Sequence, residues 1–319
     1  MKSFVNTTRS SDANPSRDLA TLDYGLPTSV SSAMKVQEIC TTPLVEKLYR
    51  GVTSPLRLLP DFLIIGAQRS GTTSLYHYLQ AQPSIGSVST KEVHFFDRRF
   101  NKSLTWYRGH FPTRVERYFA QHLSRQTFLT GEVTPCYLFY PHAPTRVAEV
   151  LPHVRLIVLL RNPVDRAYSQ YYHAVDHGFA TLAFEEAIER EEERAARERE
   201  RILKDEYYYS VEYMERSYLT RGIYVDQLQA WMKLFPREQF LILKSEEFYA
   251  DPATTLRCIL AFLNVPEAEF KLQGKEFKPY NNYTYTGMNP VLRKRLIAYF
   301  EPHNAHLYDY LGVNFDWDR

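Results

Sequence analysis

An apolar strand, a glycine-bounded loop and a helix start follow one another near residue 65. Phe62 to Ile65 is a short uninterrupted apolar run, which is typical of a parallel strand covered on both faces. Gly66 and Gly71 bound the loop, and apolar side chains then recur at helical spacing at Leu75, Tyr78 and Leu79. The pattern therefore predicts a strand that leads through a tight loop into a helix.

The start of that helix is predicted to bind an anion. Its first backbone N–H groups have no partner within the helix, and the helix dipole is positive there. The hydroxyls of Ser70, Thr72 and Thr73 offer further donors. Arg69 is the only cation in the loop, and its planar guanidinium suits two oxygens of one phosphate or sulfate group.

The loop from Gly66 to Thr73 is close to the ATP-binding Walker pattern but lacks its lysine. Thr72 stands at the lysine position, which removes the key cation for ATP. A P-loop kinase that uses ATP and magnesium is therefore a disfavoured alternative. A nucleotide-binding or scaffold protein without catalysis is a third hypothesis.

A second strand-to-helix unit repeats this arrangement. Arg155 to Leu160 is predicted as a strand, Asn162 as the N-cap and Pro163 as the first helical residue. Arg161 then stands at the carboxyl end of its strand, and Ser169 lies in the following helix. Each alone would be an ordinary surface arginine or helix serine. Together with the first loop, they predict a second phosphate site.

The two units together resemble the sulfotransferases that use 3′-phosphoadenosine 5′-phosphosulfate (PAPS), in the carbohydrate and bacterial natural-product branch. The resemblance runs from about Pro60 to the C-terminus. It implies an α/β, P-loop-like three-layer fold with a central, mainly parallel sheet flanked by helices. It also implies that Arg161 and Ser169 hold the 3′-phosphate. The 5′-phosphosulfate would then be held by the first loop, through Arg69, Ser70, Gly71, Thr72, Thr73 and Ser74.

Further segments resemble the heparan-type enzymes of this family. They are Lys91 to Asp97, Gly131 to Pro135, Arg221 to Tyr224 with Trp231, and Phe315 to Trp317. The resemblance implies that Glu92 is the general base and that His94 helps to bind the phosphosulfate. It also makes Arg221 and Gly222 candidates for nucleotide contacts.

The residues allow those catalytic roles on physical grounds. If Lys91 to Asp97 is extended, Glu92 and His94 project to the same side, because side chains alternate along a strand. An acceptor hydroxyl would attack sulfur while Glu92 removes its proton, and Arg69 with His94 would meet the charge that grows on the bridging oxygen. Side-chain and backbone donors could then suffice without magnesium.

Two departures from the heparan-type pattern affect the expected cations. Arg69 replaces a lysine of the first loop, and Val133 replaces the lysine of a Lys-Thr-Pro segment, so one expected active-site cation is missing. The stretch Asn281 to Pro290, which corresponds to a basic loop over the nucleotide in the family, is uncharged. No nucleotide contact is assigned to it.

Composition narrows the partners. The 319-residue chain has a net charge of only +2, so nothing marks it as a nucleic-acid binder, and a neutral acceptor is favoured over a polyanion. The three cysteines, Cys40, Cys136 and Cys258, are widely separated and read as reduced thiols. No stretch approaches the roughly 18 apolar residues of a membrane helix, and no signal peptide is evident. A cytoplasmic enzyme of secondary metabolism is therefore expected.

The chain is predicted to have three parts. Residues 1–33 are a flexible tail, residues 34–59 an extension that packs on the domain, and residues 60–319 the sulfotransferase domain. Within the domain, Phe184 to Glu206 is predicted as a charged, solvated helix, and Tyr207 to Tyr213 as an acceptor pocket or as packing. The acceptor itself is open: a small natural product, a lipid alcohol or a sugar hydroxyl, or an amine.

Overall fold

Five parallel strands form a central sheet in the computed structural model, which describes residues 43–271, 277 and 287–317. Their spatial order is β2-β3-β1-β4-β5, and every neighbouring pair is parallel. The strands are β1 (Phe62–Gly66), β2 (Ile85–Gly86), β3 (Leu129–Val133), β4 (Arg155–Leu160) and β5 (Phe240–Lys244).

Thirteen α-helices are described around this sheet. They are α1 (Pro43–Thr53), α2 (Thr72–Gln80), α3 (Leu104–Arg108), α4 (Arg114–His122), α5 (Ala143–Val150), α6 (Pro163–Asp176), α7 (Phe184–Glu189), α8 (Glu191–Lys204), α9 (Val211–Arg216), α10 (Tyr224–Met232), α11 (Ser245–Ala250), α12 (Pro252–Phe262) and α13 (Pro290–Leu311). None of these helices is long and apolar enough to cross a membrane.

The two central strands are covered on both faces, as their apolar sequences predict. Residues of β1 and β4 alternate between two separate hydrophobic clusters, so each strand contributes to both. Helices α2 and α12 supply Leu75 and Ile259 to one cluster, whereas α10 supplies Leu228 and Trp231 to the other. The predicted three-layer α/β fold with a parallel sheet is therefore confirmed.

Local signals located both strand-to-helix units correctly. Strand β1 ends at Gly66, and α2 begins at Thr72. In the second unit, Asn162 caps α6 by accepting hydrogen bonds from the backbone N–H groups of Val164 and Asp165. Pro163 is the first residue of that helix, as predicted.

The charged stretch from Phe184 to Glu206 differs from its prediction. It forms two helices, α7 and α8, and two of its acidic side chains are buried. The Glu191 carboxylate accepts hydrogen bonds from the backbone N–H groups of Tyr218, Leu219 and Thr220. A sequence pattern shows only a charge at this position, because the backbone groups that need it lie almost 30 residues away.

One compact unit runs from Pro43 to Arg319. The predicted tail at residues 1–33 lies outside the described residues. So do residues 34–42 of the predicted extension and residues 281–286 of the uncharged stretch. The boundaries proposed for these parts stay predictions.

Close packing between β1 and β3 leads to a test of the sheet. A Cβ atom added at buried Gly131 would overlap the ring of buried Phe62. We expect Gly131→Ala to lower the free energy of unfolding by about 1–3 kcal/mol, as overpacking does in cores.

Gly51→Ala is the control, because nothing lies within 4 Å of its added Cβ and it sits in helix α1. This change should stabilise the protein by about 0.5–1 kcal/mol. Urea unfolding of both variants would measure the difference, and equal stabilities would contradict it.

Candidate active site

A cleft of about 900 Å³ lies where β1 and β4 end. Ligands of open α/β sheets bind at the carboxyl ends of the strands. The first loop contributes Gln68, Arg69, Gly71, Thr72 and Thr73 to its lining, and the second unit contributes Arg161, Asp165, Ser169 and His173. The structure thus brings the two predicted anion sites to one cleft.

Hydrogen bonds join the two sites directly. The Nε atom of Arg69 donates to Ser169 Oγ at 3.1 Å, and Nη1 of Arg161 donates to the backbone oxygen of Arg69 at 3.0 Å. Both contacts connect residues about 100 positions apart in the chain. A single ligand with two anionic ends can therefore reach both groups.

The loop needs an unusual backbone. Gly71 is the N-cap of α2 and has a φ of 94°, and an added Cβ would lie 2.9 Å from the Tyr249 hydroxyl. Only glycine adopts this conformation at little cost. Arg69 also has a positive φ, of 70°, which residues other than glycine rarely adopt. The loop is therefore held by its surroundings and not by local preference.

Two of the predicted loop residues do not line the cleft. Ser70 and Ser74 are both fully buried. The Ser245 hydroxyl donates to the backbone oxygen of Ser70 at 2.8 Å, and Tyr249 hydrogen-bonds Ser74. These serines fasten the loop to α11, whereas Thr72 and Thr73 face the cleft.

The segment from Lys91 to Asp97 does not meet the condition of being extended, under which strand alternation would bring Glu92 and His94 together. It contains no strand, and Glu92 and His94 have φ values of 59° and 56°. Their side chains nevertheless meet, with His94 Nε2 3.4 Å from Glu92 Oε2. Their proximity therefore comes from an irregular segment in which both residues have left-handed backbone conformations. The alternation of side chains along a strand is not the cause.

Lys91 and Asp97, to which the sequence analysis gave no role, complete this group. Asp97 accepts a hydrogen bond from His94 Nδ1 at 2.8 Å, and it is buried. Lys91 Nζ lies 2.7 Å from Glu92 Oε1 and 2.8 Å from Thr73 Oγ1. The cleft thus contains Lys91 as a cation besides Arg69 and Arg161. The sequence had indicated that one active-site cation is missing, because Val133 replaces a lysine. The position of Lys91 in the segment Lys91 to Asp97 was the available signal.

Mutual hydrogen bonding shifts the pKa values of Glu92 and His94 in opposite directions. Burial alone would raise the pKa of Glu92, but hydrogen bonds from His94 and Lys91 lower it to about 2. Burial alone would lower the pKa of His94, but hydrogen bonds to Asp97 and Glu92 raise it to about 9. At neutral pH the pair is therefore a carboxylate and an imidazolium.

A buried carboxylate network holds the backbone of this segment. Glu132 accepts hydrogen bonds from the hydroxyls of Tyr107, Tyr137 and Thr134 at 2.5, 2.6 and 2.7 Å. The Tyr137 oxygen in turn accepts from the backbone N–H of Phe95 at 2.8 Å. The network fixes the turn between His94 and Asp97 without using a cation.

Arg221 and Gly222 do not reach the lining of the cleft. The guanidinium of Arg221 is buried over the Phe139 ring at 4.6 Å and donates to the backbone oxygen of Met214. An added Cβ at Gly222 would lie 2.9 Å from Phe300. Both residues pack behind the cleft, so this placement does not support their expected contact with the nucleotide.

Aromatic side chains line another part of the cleft. Tyr78 packs edge-on against Phe277 with ring centroids 4.8 Å apart, and Phe248 lies 5.9 Å from Tyr78. Elsewhere in the lining, Arg98 lies over the Tyr209 ring at 4.9 Å and 3.6 Å from Glu215. Tyr209, from the predicted aromatic cluster, thus supports a residue of the cleft.

One group among the described residues has metal-ligand atoms close together: His94, Asp97 and Cys136, within 4.8 Å of one another. The hydrogen bond between His94 and Asp97 already occupies two of these atoms. Burial raises the pKa of Cys136 to about 12.

A sequence profile described as "Sulfotransferase domain" matches residues 59–289. The chain belongs to the PAPS-dependent sulfotransferase family. The resemblance read from the sequence is thereby confirmed, and the kinase alternative is not supported.

Named relatives agree with this family. The chain is 29% identical to the membrane-associated sulfotransferase kil1 of Dictyostelium discoideum, over 84% of its own length and 68% of the relative's. It is 29% identical to heparan sulfate glucosamine 3-O-sulfotransferase 3A1 of mouse, over 82% of its length and 65% of the relative's. The chain thus spans about two thirds of these curated relatives. A solved sulfotransferase from Alicyclobacillus acidocaldarius is similar with a TM-score of 0.61 and 31% identity, covering 82% of this chain and all of the other.

The raised pKa of His94 predicts how stability depends on pH. Because its folded-state value is about 9 and its ordinary value is 6.5, protonated His94 contributes stability that is complete below pH 6.5 and is lost as pH rises through 9. Asp97→Asn should cost about 1.5–3 kcal/mol at pH 6.5, since a hydrogen bond between charged groups is lost, and less at pH 9.5.

Urea unfolding at the two pH values would measure this effect. His153→Gln is the control, because His153 is exposed and does not line the cleft. It should keep the wild-type pH dependence. An equal loss for Asp97→Asn at both pH values would show that His94 is not held protonated.

Proposed function

We propose that this protein transfers the sulfuryl group of PAPS to an acceptor hydroxyl, with Glu92 as the general base. The observation that carries this proposal is the direct link between the two anion sites, from Arg161 to the Arg69 backbone and from Arg69 to Ser169. Glu92 and His94 line the same cleft. One bisphosphorylated nucleotide could bind there with its reacting end near the base.

Each end of the donor has groups of suitable chemistry. The 5′-phosphosulfate would bind at the first turn of α2, where the positive end of the helix dipole meets the hydroxyls of Thr72 and Thr73. The 3′-phosphate would bind near Arg161 and Ser169. The aromatic side chains of Tyr78, Phe248 and Phe277 offer a surface on which a purine can be buried.

The reaction then follows from the charges in the cleft. The acceptor oxygen forms a bond to sulfur, the bond between sulfur and the bridging phosphate oxygen breaks, and Glu92 takes the acceptor's proton. Negative charge that grows on the bridging oxygen is met by the Arg69 guanidinium and by the imidazolium of His94. Both are positioned before the reaction begins, so little reorganisation is needed.

The acceptor is proposed to be a sugar hydroxyl. The support is that curated relatives are named as heparan sulfate glucosamine 3-O-sulfotransferases. A small natural product, a lipid alcohol or an amine could use the same base.

Sulfate transfer without metal tests the reaction. We expect the wild-type protein to transfer ³⁵S-sulfate from PAPS to heparan-type oligosaccharides or to acceptors in a cell extract, with excess chelator present. Glu92→Gln should lower the rate by about a hundredfold or more, because general base catalysis is lost. Glu200→Gln, at an exposed position of α8, is the matched control.

The same assay separates the alternatives. Magnesium-dependent transfer from ATP would identify a kinase. Binding of the nucleotide by the wild-type protein without any sulfate transfer would identify a protein without catalysis. Either result would reject the proposal.

The two arginines should fail in different ways. Arg69→Ala is expected to lower kcat by about a hundredfold, because the donor to the developing charge is lost. Arg161→Ala should mainly raise KM for PAPS, since a 3′-phosphate keeps its charge throughout the reaction. Steady-state kinetics with varied PAPS would measure both parameters. The division of roles would be refuted if Arg161→Ala lowered kcat as much as Arg69→Ala does.

A further inference from the structure

Lys91 lies between the first loop and the general base. Its Nζ atom is 2.8 Å from Thr73 Oγ1 and 2.7 Å from Glu92 Oε1. The other carboxylate oxygen, Oε2, lies 3.4 Å from His94 Nε2. Both oxygens of Glu92 are therefore engaged by cations in this state of the protein.

This arrangement is unfavourable for proton abstraction. A carboxylate that accepts two charged hydrogen bonds is a weak base, and the pKa of Glu92 is lowered to about 2. The acceptor proton also needs one of the two occupied oxygens. Some change must free an oxygen of Glu92 before transfer.

Position and charge show which partner can be released. Thr73 is in the first turn of α2, where the proposed donor brings its 5′-phosphosulfate, so Lys91 Nζ already stands beside that anion's place. His94 is held from behind by buried Asp97, whereas a lysine has a flexible stem and three rotatable donors. Lys91 is the contact that can move.

We propose that Lys91 exchanges partners during the reaction: it holds Glu92 in the free protein and moves to the 5′-phosphosulfate when the donor binds. This inference rests on the proposed function. The exchange frees one oxygen of Glu92 for the acceptor's proton only when the donor is present. After the bisphosphate product leaves, Lys91 returns to Glu92.

The surroundings leave Lys91 as the suitable cation at this point. The backbone N–H of Glu92 donates to the oxygen of Val133 at 3.1 Å, so Glu92 lies beside the apolar residue that replaces the expected lysine. Arg98 is turned to Glu215, and Arg161 to the loop backbone. Other titratable or charged groups that act on Lys91, Glu92 or His94 are His77, Asp97, Arg98, Cys136 and His173.

A double-mutant cycle on nucleotide affinity tests the exchange without any acceptor. The probe is adenosine 3′,5′-bisphosphate, the unreactive product, titrated calorimetrically into wild type, Lys91→Gln, Glu92→Gln and the double variant. Lys91→Gln should weaken binding about tenfold, because a charged contact to the 5′-phosphate is lost. Glu92→Gln should tighten binding about three- to tenfold, because Lys91 no longer has to leave a carboxylate.

The effect of Glu92→Gln in the presence and in the absence of Lys91 distinguishes partner exchange from simple repulsion between the Glu92 carboxylate and the nucleotide. If Lys91 moves, Glu92→Gln should have an effect below about twofold when Lys91 is already glutamine. Equal effects of Glu92→Gln in both backgrounds would overturn the proposal. So would binding by Lys91→Gln within about twofold of wild type.

Control variants and wild type complete the design. Lys102→Gln, at an exposed position outside the cleft lining, should bind as wild type does. Lys91→Arg keeps the charge and should keep most of the affinity, which shows that a loss in Lys91→Gln is not caused by misfolding. Failure of wild type itself to bind the bisphosphate would reject the proposed function together with the exchange.

Discussion

The adjacency of two parallel strands is the constraint on which the site depends. Because β1 and β4 pair in parallel, the segments that follow these two strands leave the sheet at the same edge. The hydrogen bond from Arg161 to the Arg69 backbone holds the loop after β1 against the residue that follows β4. The start of α2 and the serine on α6 take their positions from this pair.

Backbone conformation at three positions of the cleft is maintained by tertiary structure. Arg69, Glu92 and His94 all have positive φ, which costs roughly 1–2 kcal/mol at a residue with a side chain. The buried Glu132 network offsets part of this cost by satisfying the backbone beside His94. Strained residues clustered in one cleft are typical of functional sites.

The sequence predicted the parts of the fold that rest on local signals. The apolar runs of β1 and β4, the cap at Asn162 and the glycine at residue 71 each act through near neighbours, so their patterns are readable. The segment that carries Glu92 was considered as an extended strand, but its conformation depends on contacts far along the chain, such as the bond from the Glu92 N–H to the oxygen of Val133, some 40 residues away. The contact of Lys91 with Thr73 joins two separate segments of the chain, so no local pattern predicted it.

The cleft is supported in two different ways. The anion-binding loop is anchored to the sheet edge, whereas Arg98, Phe179 and Glu215 come from a turn, an inter-helix segment and a short helix. None of these three residues lies on a strand. Substitutions at these three positions can therefore reshape one wall of the cleft while the strands and the loop after β1 stay as they are.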